Sequence, residues 1–540
     1  MSLAAIRFAA ILIGAALLWA GLVLYPGVFR ISGHELDLIQ ALDVSYRMIE
    51  GARPHLDFMT PLGVLAFQPI AWFLAAGYGP GLSFLMAQVA VTFAVLPLVW
   101  WVGMSRLTGA VRLIFGIGMV ALGSSMIFGA AKPATTGAMY YNRWAWILTF
   151  CGVLILMLRA RPGWRAPVID GLFVGVAVAV LVMTKVTFVI ALLPFAFVAI
   201  LQYRQFALFG VALVAAAALL AALTPVYGGV GFWQAYVGDL LAVALDSRRS
   251  YPGLPLSDLV ASPAALPMTA LLLITVIFWR NVGLSREGLA LLVLAPGLVY
   301  ITYQNWGNDP KWLFLLALLL LSREPNADAP AFWDVPPKVF SRVLATLALV
   351  LIAPSMVNIL VSPVRHMSVD GTSYVPLFPR LDRADIEVDA ALAYLPTVER
   401  PLPNFSLPAS VAAEGEADPP APIVAGVEIE DCELGLGFAG WTVRAVAQLE
   451  AMESAVGRPI LAADIYDHLW LFGPFERVAG MAPWYYDTDR GFDSAAFVLV
   501  PHCPVSPAAR RRKLEVIEGL GWILEEEIRT DLFTLFRRVG

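Results

Sequence analysis

Residues 168–202 read VIDGLFVGVAVAVLVMTKVTFVIALLPFAFVAILQ, two apolar runs, 168–184 and 187–202, with Lys185 between them. Each run approaches the roughly 17–25 apolar residues that cross a hydrocarbon core as a helix. Similar runs lie to either side, at 80–104, 113–130 and 144–158 before it and at 206–224, 264–279, 288–303, 311–321 and 343–361 after it. The chain opens with another, from Ala4 to Tyr25, which holds one arginine, Arg7, and no A-x-A cleavage site, so it is expected to stay as a first membrane helix. This reading predicts about eleven spans. A further run from Pro61 to Ala76 begins with proline and is short, which suits a helix lying in the membrane surface.

Composition agrees with two solvents. The chain has 540 residues, 59% hydrophobic and 14% charged, against about 25% charged in soluble domains. Residues 1–361 carry 21 Lys+Arg and 14 Asp+Glu, and residues 362–540 carry 15 and 27, so net charge swings from +7 to −12. The expected fold is an α-helical polytopic membrane domain, 1–361, followed by a soluble α/β domain, 362–540. No basic stripe interleaved with aromatics points to nucleic acid, and no G-x-x-x-x-G-K-[ST] loop points to an ATP-driven pump. With the N-terminus in the cytoplasm, the inside loops hold Arg106, Arg112, Arg159, Arg161, Arg165, Arg204, Arg280, Arg286, Arg323, Lys338 and Arg342, as the positive-inside rule requires. The C-terminal domain then lies outside, in a bacterium in the periplasm beyond the inner membrane. Cys432 and Cys503 would there be free to form a disulfide, and two unpaired thiols are the other option.

The first outside loop, 26–79, is the most informative. It contains Ser32-Gly33-His34-Glu35-Leu36-Asp37, then an amphipathic pattern from Glu35 to Glu50 with Leu38, Leu42, Ser45/Tyr46 and Ile49 on one side and Asp37, Asp43 and Arg47 elsewhere. It continues as Gly51-Ala52-Arg53-Pro54-His55-Leu56-Asp57-Phe58-Met59-Thr60-Pro61. The pattern sets Glu35 and Asp37 at a helix N-terminus, where carboxylates are favoured, and the Gly51/Pro54 break is expected to fold Asp57 toward them. Capping and turn formation alone account equally for these acids.

An aspartate soon after the first membrane helix, a surface helix, then G-x-x-P-[YH]-x-D-F and a proline opening the next helix resemble the first periplasmic loop of GT-C membrane glycosyltransferases. The likeness is to the bacterial protein-mannosyltransferase-like and lipopolysaccharide sugar transferase-like members. Asp37 and Asp57-Phe58 fall on the matching positions. The resemblance covers about 1–205 by motif and 1–361 by hydropathy. It implies transfer of a sugar from a polyprenyl-phosphate donor to an acceptor hydroxyl, with inversion, at the periplasmic face. The acceptor is a lipid, glycan or protein. Asp37 is the expected general base, with Asp57 and Glu35 beside it, because a phosphate leaving group needs little protonation.

Cations near the membrane surface would hold the departing phosphate. The candidates are Lys132, Arg143, Lys185, Arg248, Arg249 and Lys311. His55, Tyr140, Tyr141, Asn142, Gln304 and Asn305 are candidates for binding sugar or acceptor. The second outside loop carries no acid, and His34 and His55 lack sharp ligand spacing, so no metal is assigned and a divalent cofactor is not firmly implied. Beyond a Pro-rich stretch from Pro401 to Pro422, strands are expected at Ile423–Ile429, Pro459–Ile465 and Ala495–Val500. Helices are expected at Trp441–Val456 and Ala508–Leu520, and a hairpin at Trp522–Val539. Asp464, Asp467, His468, Tyr485, Tyr486 and Asp487 read as surface polarity. Other readings are a secondary transporter or flippase for a lipid or polyol, and a non-catalytic membrane scaffold.

Overall fold

A computed structural model of the chain describes all residues except 1, 130–133, 246–264, 304–308, 326–327, 382, 401–421 and 431. The chain forms two compact units. One comprises Met1–Phe29, Leu62–Val230 and Arg249–Val369, and the other Arg30–Pro61, Gly231–Arg248 and Asp370–Gly540. Arg30–Pro61, the middle of the first outside loop, thus belongs to the same unit as the C-terminal region, and its ends belong to the helical unit. Numbering helices along the whole chain, α1 (Leu3–Leu24) is in the first unit and α2 (Glu35–Ile49) in the second. The first unit continues with α3 (Gln68–Ala75), α4 (Pro80–Arg106), α5 (Gly109–Ser124), α6 (Tyr140–Met157), α7 (Pro167–Tyr203) and α8 (Phe206–Leu223). After α9 (Val230–Leu245), which falls almost wholly in the second unit, come α10 (Ala265–Asn281), α11 (Ser285–Tyr303), α12 (Trp312–Ser322) and α13 (Pro337–Met367).

Among the described residues six helices, α1, α4, α7, α8, α11 and α13, are long and apolar enough to cross a membrane, not the eleven expected. Of the five fewer, three are helices too short to cross, one comes from two expected runs that share α7, and the last is the 144–158 run, which lies in α6 behind a polar first turn of Tyr140, Tyr141, Asn142 and Arg143. The runs of 113–130, 264–279 and 311–321 form helices of 16, 17 and 11 residues, about 16 to 26 Å at 1.5 Å per residue, short of a ~30 Å hydrocarbon core. The runs of 168–184 and 187–202 both fall in α7, but they are two helices divided by non-helical φ −149°, ψ 85° at Lys185. Gly171 approaches the backbone of Leu208 and Gly175 that of Ala212, so the first half of α7 runs parallel to α8. The second half, which joins them, must therefore run back. Lys185 is the apex of a helical hairpin.

Burial follows composition. The described outer faces of α7 and α8 expose Leu172, Ile190, Phe197, Phe209 and Leu213, whereas α6 is enclosed along nearly its whole length and α12 from Trp312 to Leu320. A helix apolar all round is stable only when surrounded by protein or lipid. The Pro61–Ala76 run contains only a single 3-10 turn and the eight-residue α3, too short to span. Gly63 sits where a side chain would collide with the backbone of Met183, and its N–H donates to Thr184 O at 3.2 Å. This ties the loop to the apex of the α7 hairpin.

In the second unit, the main sheet has the order β10-β11-β9-β8, counting strands along the chain: β8 (Ile460–Ala462), β9 (Phe497–Pro501), β10 (Leu524–Arg529) and β11 (Phe533–Arg538). β8 and β9 are parallel, and β11 pairs antiparallel with both β9 and β10. Helices α14 (Phe438–Glu450) and α15 (Pro507–Gly519), counting the helices of eight residues or more, accompany it. The hairpin and the helix expected at Ala508–Leu520 lie where the pattern put them, whereas the helix expected at Trp441–Val456 runs earlier, from Phe438 to Glu450. Val498, Val500, Phe536, Leu461, Ile517 and Phe492 form the core beneath. Cys432 and Cys503 are joined by a disulfide.

Candidate active site

Helix α2 begins as its sequence predicts, with Glu35 and Asp37 in its first turn. His34 precedes it in a left-handed conformation, φ 59°, and its side chain does not cap the helix. Asp37 is partly buried, and among the described residues its carboxylate has no hydrogen bond or ion pair. Burial, and then the charge of Glu35, push its pKa up to about 6. Burial also raises Glu35. Both acids act on Tyr466, whose phenol is held above its ordinary range by burial first and by the field of Asp37, Tyr486, Asp464 and Glu35 after it. The first turn of α2 therefore presents two carboxylates beside the neutral phenol of Tyr466.

Two turns on, the same helix behaves differently. Asp43 and Arg47, expected away from the apolar face, are buried, at 0% and 3% exposure. Arg47 Nε donates to Asp43 at 2.5 Å, Trp470 Nε1 donates to the other Asp43 oxygen at 2.5 Å, and the guanidinium lies over the Phe58 ring. Arg477 stacks on Trp470 at 3.9 Å and pairs with Glu50. A buried carboxylate is tolerable here because it is paired and hydrogen-bonded.

Asp57 does not join Asp37. It accepts the Arg53 backbone N–H at 2.7 Å and the Arg53 guanidinium in a bidentate pair at 2.9 Å, which holds its carboxyl below the usual range. The i to i+4 turn that brings these residues together consumes the acid. His55 is wholly buried with φ 71°, so it does not offer its ring to an acceptor in solvent. Its Nδ1 lies 2.7 Å from Asp239, its ring packs against Phe232 and Tyr236 of α9, and Arg490 reaches Asp239 and the carbonyls of His55 and Leu56. Asp239 and Arg490 were not singled out in the sequence. Asp239 carried one signal, an acid isolated in the apolar run of α9.

Asp464, Asp467 and His468, expected at the surface, are buried, as are Tyr485 and Tyr486. Asp464 accepts three backbone N–H groups, from Ile465, Val505 and Ser506, at 2.7 to 3.0 Å, and burial still lifts its pKa to about 6. His468 meets Thr442 at 3.0 Å, and burial pushes its pKa down to about 3. Lys513 is buried against Ala462 O at 2.7 Å. These groups pin the loops around β8.

The remaining candidates lie in the helical unit. Lys185 stands 5.6 Å from the centre of the Tyr141 ring. Tyr140 is buried with its hydroxyl donating to Ala66 O at 2.7 Å, which commits it to packing. Asn142 is buried with neither side-chain polar atom hydrogen-bonded. Arg143 donates to Ile127 O and Gln88 Oε1, leaving its Nε without a partner. Lys311 is fully buried, its Nζ also without a hydrogen-bond partner, in the electrostatic field of both Asp309 and Arg143. Lys132, Arg248, Arg249, Gln304 and Asn305 lie outside the described residues.

Among the described residues the one grouping with metal-ligand proximity is Glu430, Cys432 and Cys503. Its two sulfurs are spent in the disulfide, so it does not fit a metal. No protein family, no curated protein and no solved structure matches the chain.

Proposed function

We propose that the chain is a membrane glycosyltransferase that moves a sugar from a polyprenyl-phosphate donor to an acceptor hydroxyl, with Asp37 as general base. The observation that carries this reading is the state of Asp37: partly buried, without a hydrogen bond or ion pair among the described residues, and with its pKa pushed up to about 6 by burial and the charge of Glu35. Such a carboxylate is ionised at neutral pH and basic enough to take a hydroxyl proton in the transition state. In the step proposed, the acceptor oxygen attacks the anomeric carbon while its proton passes to Asp37. The bond from that carbon to the phosphate oxygen breaks, and the lipid phosphate leaves from the opposite side, inverting the centre. Glu35, close enough to raise Asp37, tunes the base.

The Cys432–Cys503 disulfide supports an extracytoplasmic C-terminal region. The inner membrane, with a cytoplasmic N-terminus, is the location that follows. A membrane-impermeant maleimide that labels these cysteines in intact cells after reduction and denaturation supports that orientation, and labelling that appears only once the membrane is permeabilised contradicts it.

The function is tested by mass spectrometry of surface glycans and lipids from a strain lacking the chain. Loss of one sugar mass, restored by the wild-type chain, is expected. An unchanged glycan and lipid profile contradicts the reading.

A further inference from the structure

The described residues contain a second polar site, within the helical unit and separate from the residues of the proposed reaction. A cavity of about 490 Å³ lies where the end of α4, the 158–167 connection, both ends of α7 and the start of α8 converge. The hairpin at Lys185 is what brings Asp170 and Arg204, at opposite ends of α7, to the same place. Its lining holds five arginines, Arg106, Arg159, Arg165, Arg204 and Arg286, and one acid, Asp170.

Asp170 is already satisfied. It takes a bidentate pair from Arg106, at 2.8 and 2.6 Å, and the Trp101 indole N–H at 2.8 Å. The other four arginines pair with no carboxylate among the described residues, leaving an excess of four positive charges at the mouth. Beside them, the Tyr203 hydroxyl and the Gln205 Oε1 are buried without a partner. Arg204 has φ 51°, a helix-ending conformation usually left to glycine.

The surroundings of the cavity are apolar. Val168, Leu172, Phe206 and Phe209, on the helices that line it, are 62%, 50%, 57% and 47% exposed, as acyl-chain contacts would be. A phosphate that brings its own hydrocarbon fits both halves of this surface: guanidinium forks for the phosphate oxygens and bare aliphatic faces for the chains. The volume falls within the range of small-ligand pockets. We infer that this cavity binds the phosphate head group of an anionic phospholipid.

The test is native mass spectrometry of the full chain in detergent, titrated separately with phosphatidylglycerol, phosphatidylcholine and inorganic phosphate. Phosphatidylglycerol is expected to bind at least about tenfold more tightly than phosphatidylcholine. The double substitution Arg204→Gln, Arg286→Gln is expected to weaken it about 30-fold, from two interfacial charges lost. The control Arg342→Gln, an exposed arginine of α13 that is not in the cavity lining, is expected to leave binding unchanged. Arg204→Lys with Arg286→Lys keeps the charge and serves if the glutamine pair fails to fold, with an intermediate loss expected from the missing forks. Equal binding of the two lipids, or binding untouched by these substitutions, overturns the inference and leaves the arginines as topology determinants. Displacement of phosphatidylglycerol by equimolar inorganic phosphate overturns the lipid assignment in favour of a soluble phosphate compound.

Discussion

The start and the later turns of α2 solve the same problem in opposite ways. At its middle, Asp43 is buried but supplied with Arg47 and the Trp470 N–H. At its start, Asp37 is also withdrawn from water yet receives no donor from a described side chain, and Glu35, whose charge acts on it, has the same sign. Taking a carboxylate out of water is costly, so structures that need one only for stability pair it. A carboxylate left unpaired beside another is suited to exchanging a proton. The difference separates a paired, structural acid from the acid proposed as the base on a single 15-residue helix.

The largest effect should come from breaking the paired end. Arg47→Ala strands a buried carboxylate and is expected to destabilise the second unit by about 3–5 kcal/mol, measured by thermal unfolding in detergent. A change under about 1 kcal/mol would show that Asp43 finds water and that the contrast is false. Trp470→Phe keeps the ring and removes one N–H from Asp43, with an expected loss of about 1–3 kcal/mol in the same assay.

The unpaired end should respond through pH. The folded pKa of Asp37 is raised from 3.8 to about 6. Its contribution to stability is therefore full below pH 3.8 and lost as pH climbs through 6, while base catalysis grows over that same interval. Transfer activity is expected to rise with pH through about 6. Glu35→Gln removes the like charge and should move that acid limb to lower pH, because burial is then the main remaining cause of the shift. An unmoved limb would mean another group titrates. Asp37→Asn should leave stability at neutral pH unchanged or slightly higher, since it deletes a charge that burial disfavours.

Much of this was readable because it is local. Leu38 and Leu42 recur at helical spacing, and α2 starts at Glu35 as expected. The hairpin expected at Trp522–Val539 appears as Leu524–Arg529 and Phe533–Arg538. What was hidden depends on partners far along the chain. Asp239 meets His55 across 184 residues and Arg490 across 251, and Trp470 meets Asp43 across 427. No local periodicity encodes such pairs. The span count failed for a related reason: hydropathy reports that 311–321 avoids water, and does not distinguish lipid from the helices that enclose it. Asp57 misled because its role is set by Arg53 four residues earlier, a local ion pair that a motif match does not weigh.

The central claim is that Asp37 is kept unpaired for chemistry, and the most direct measurement compares surface glycans in the deletion strain carrying wild type or Asp37→Asn at equal amounts of folded protein. The account predicts that the sugar mass restored by wild type stays absent with Asp37→Asn, a loss of about 10²–10⁴-fold in transfer. Full restoration by a stable Asp37→Asn chain would contradict it.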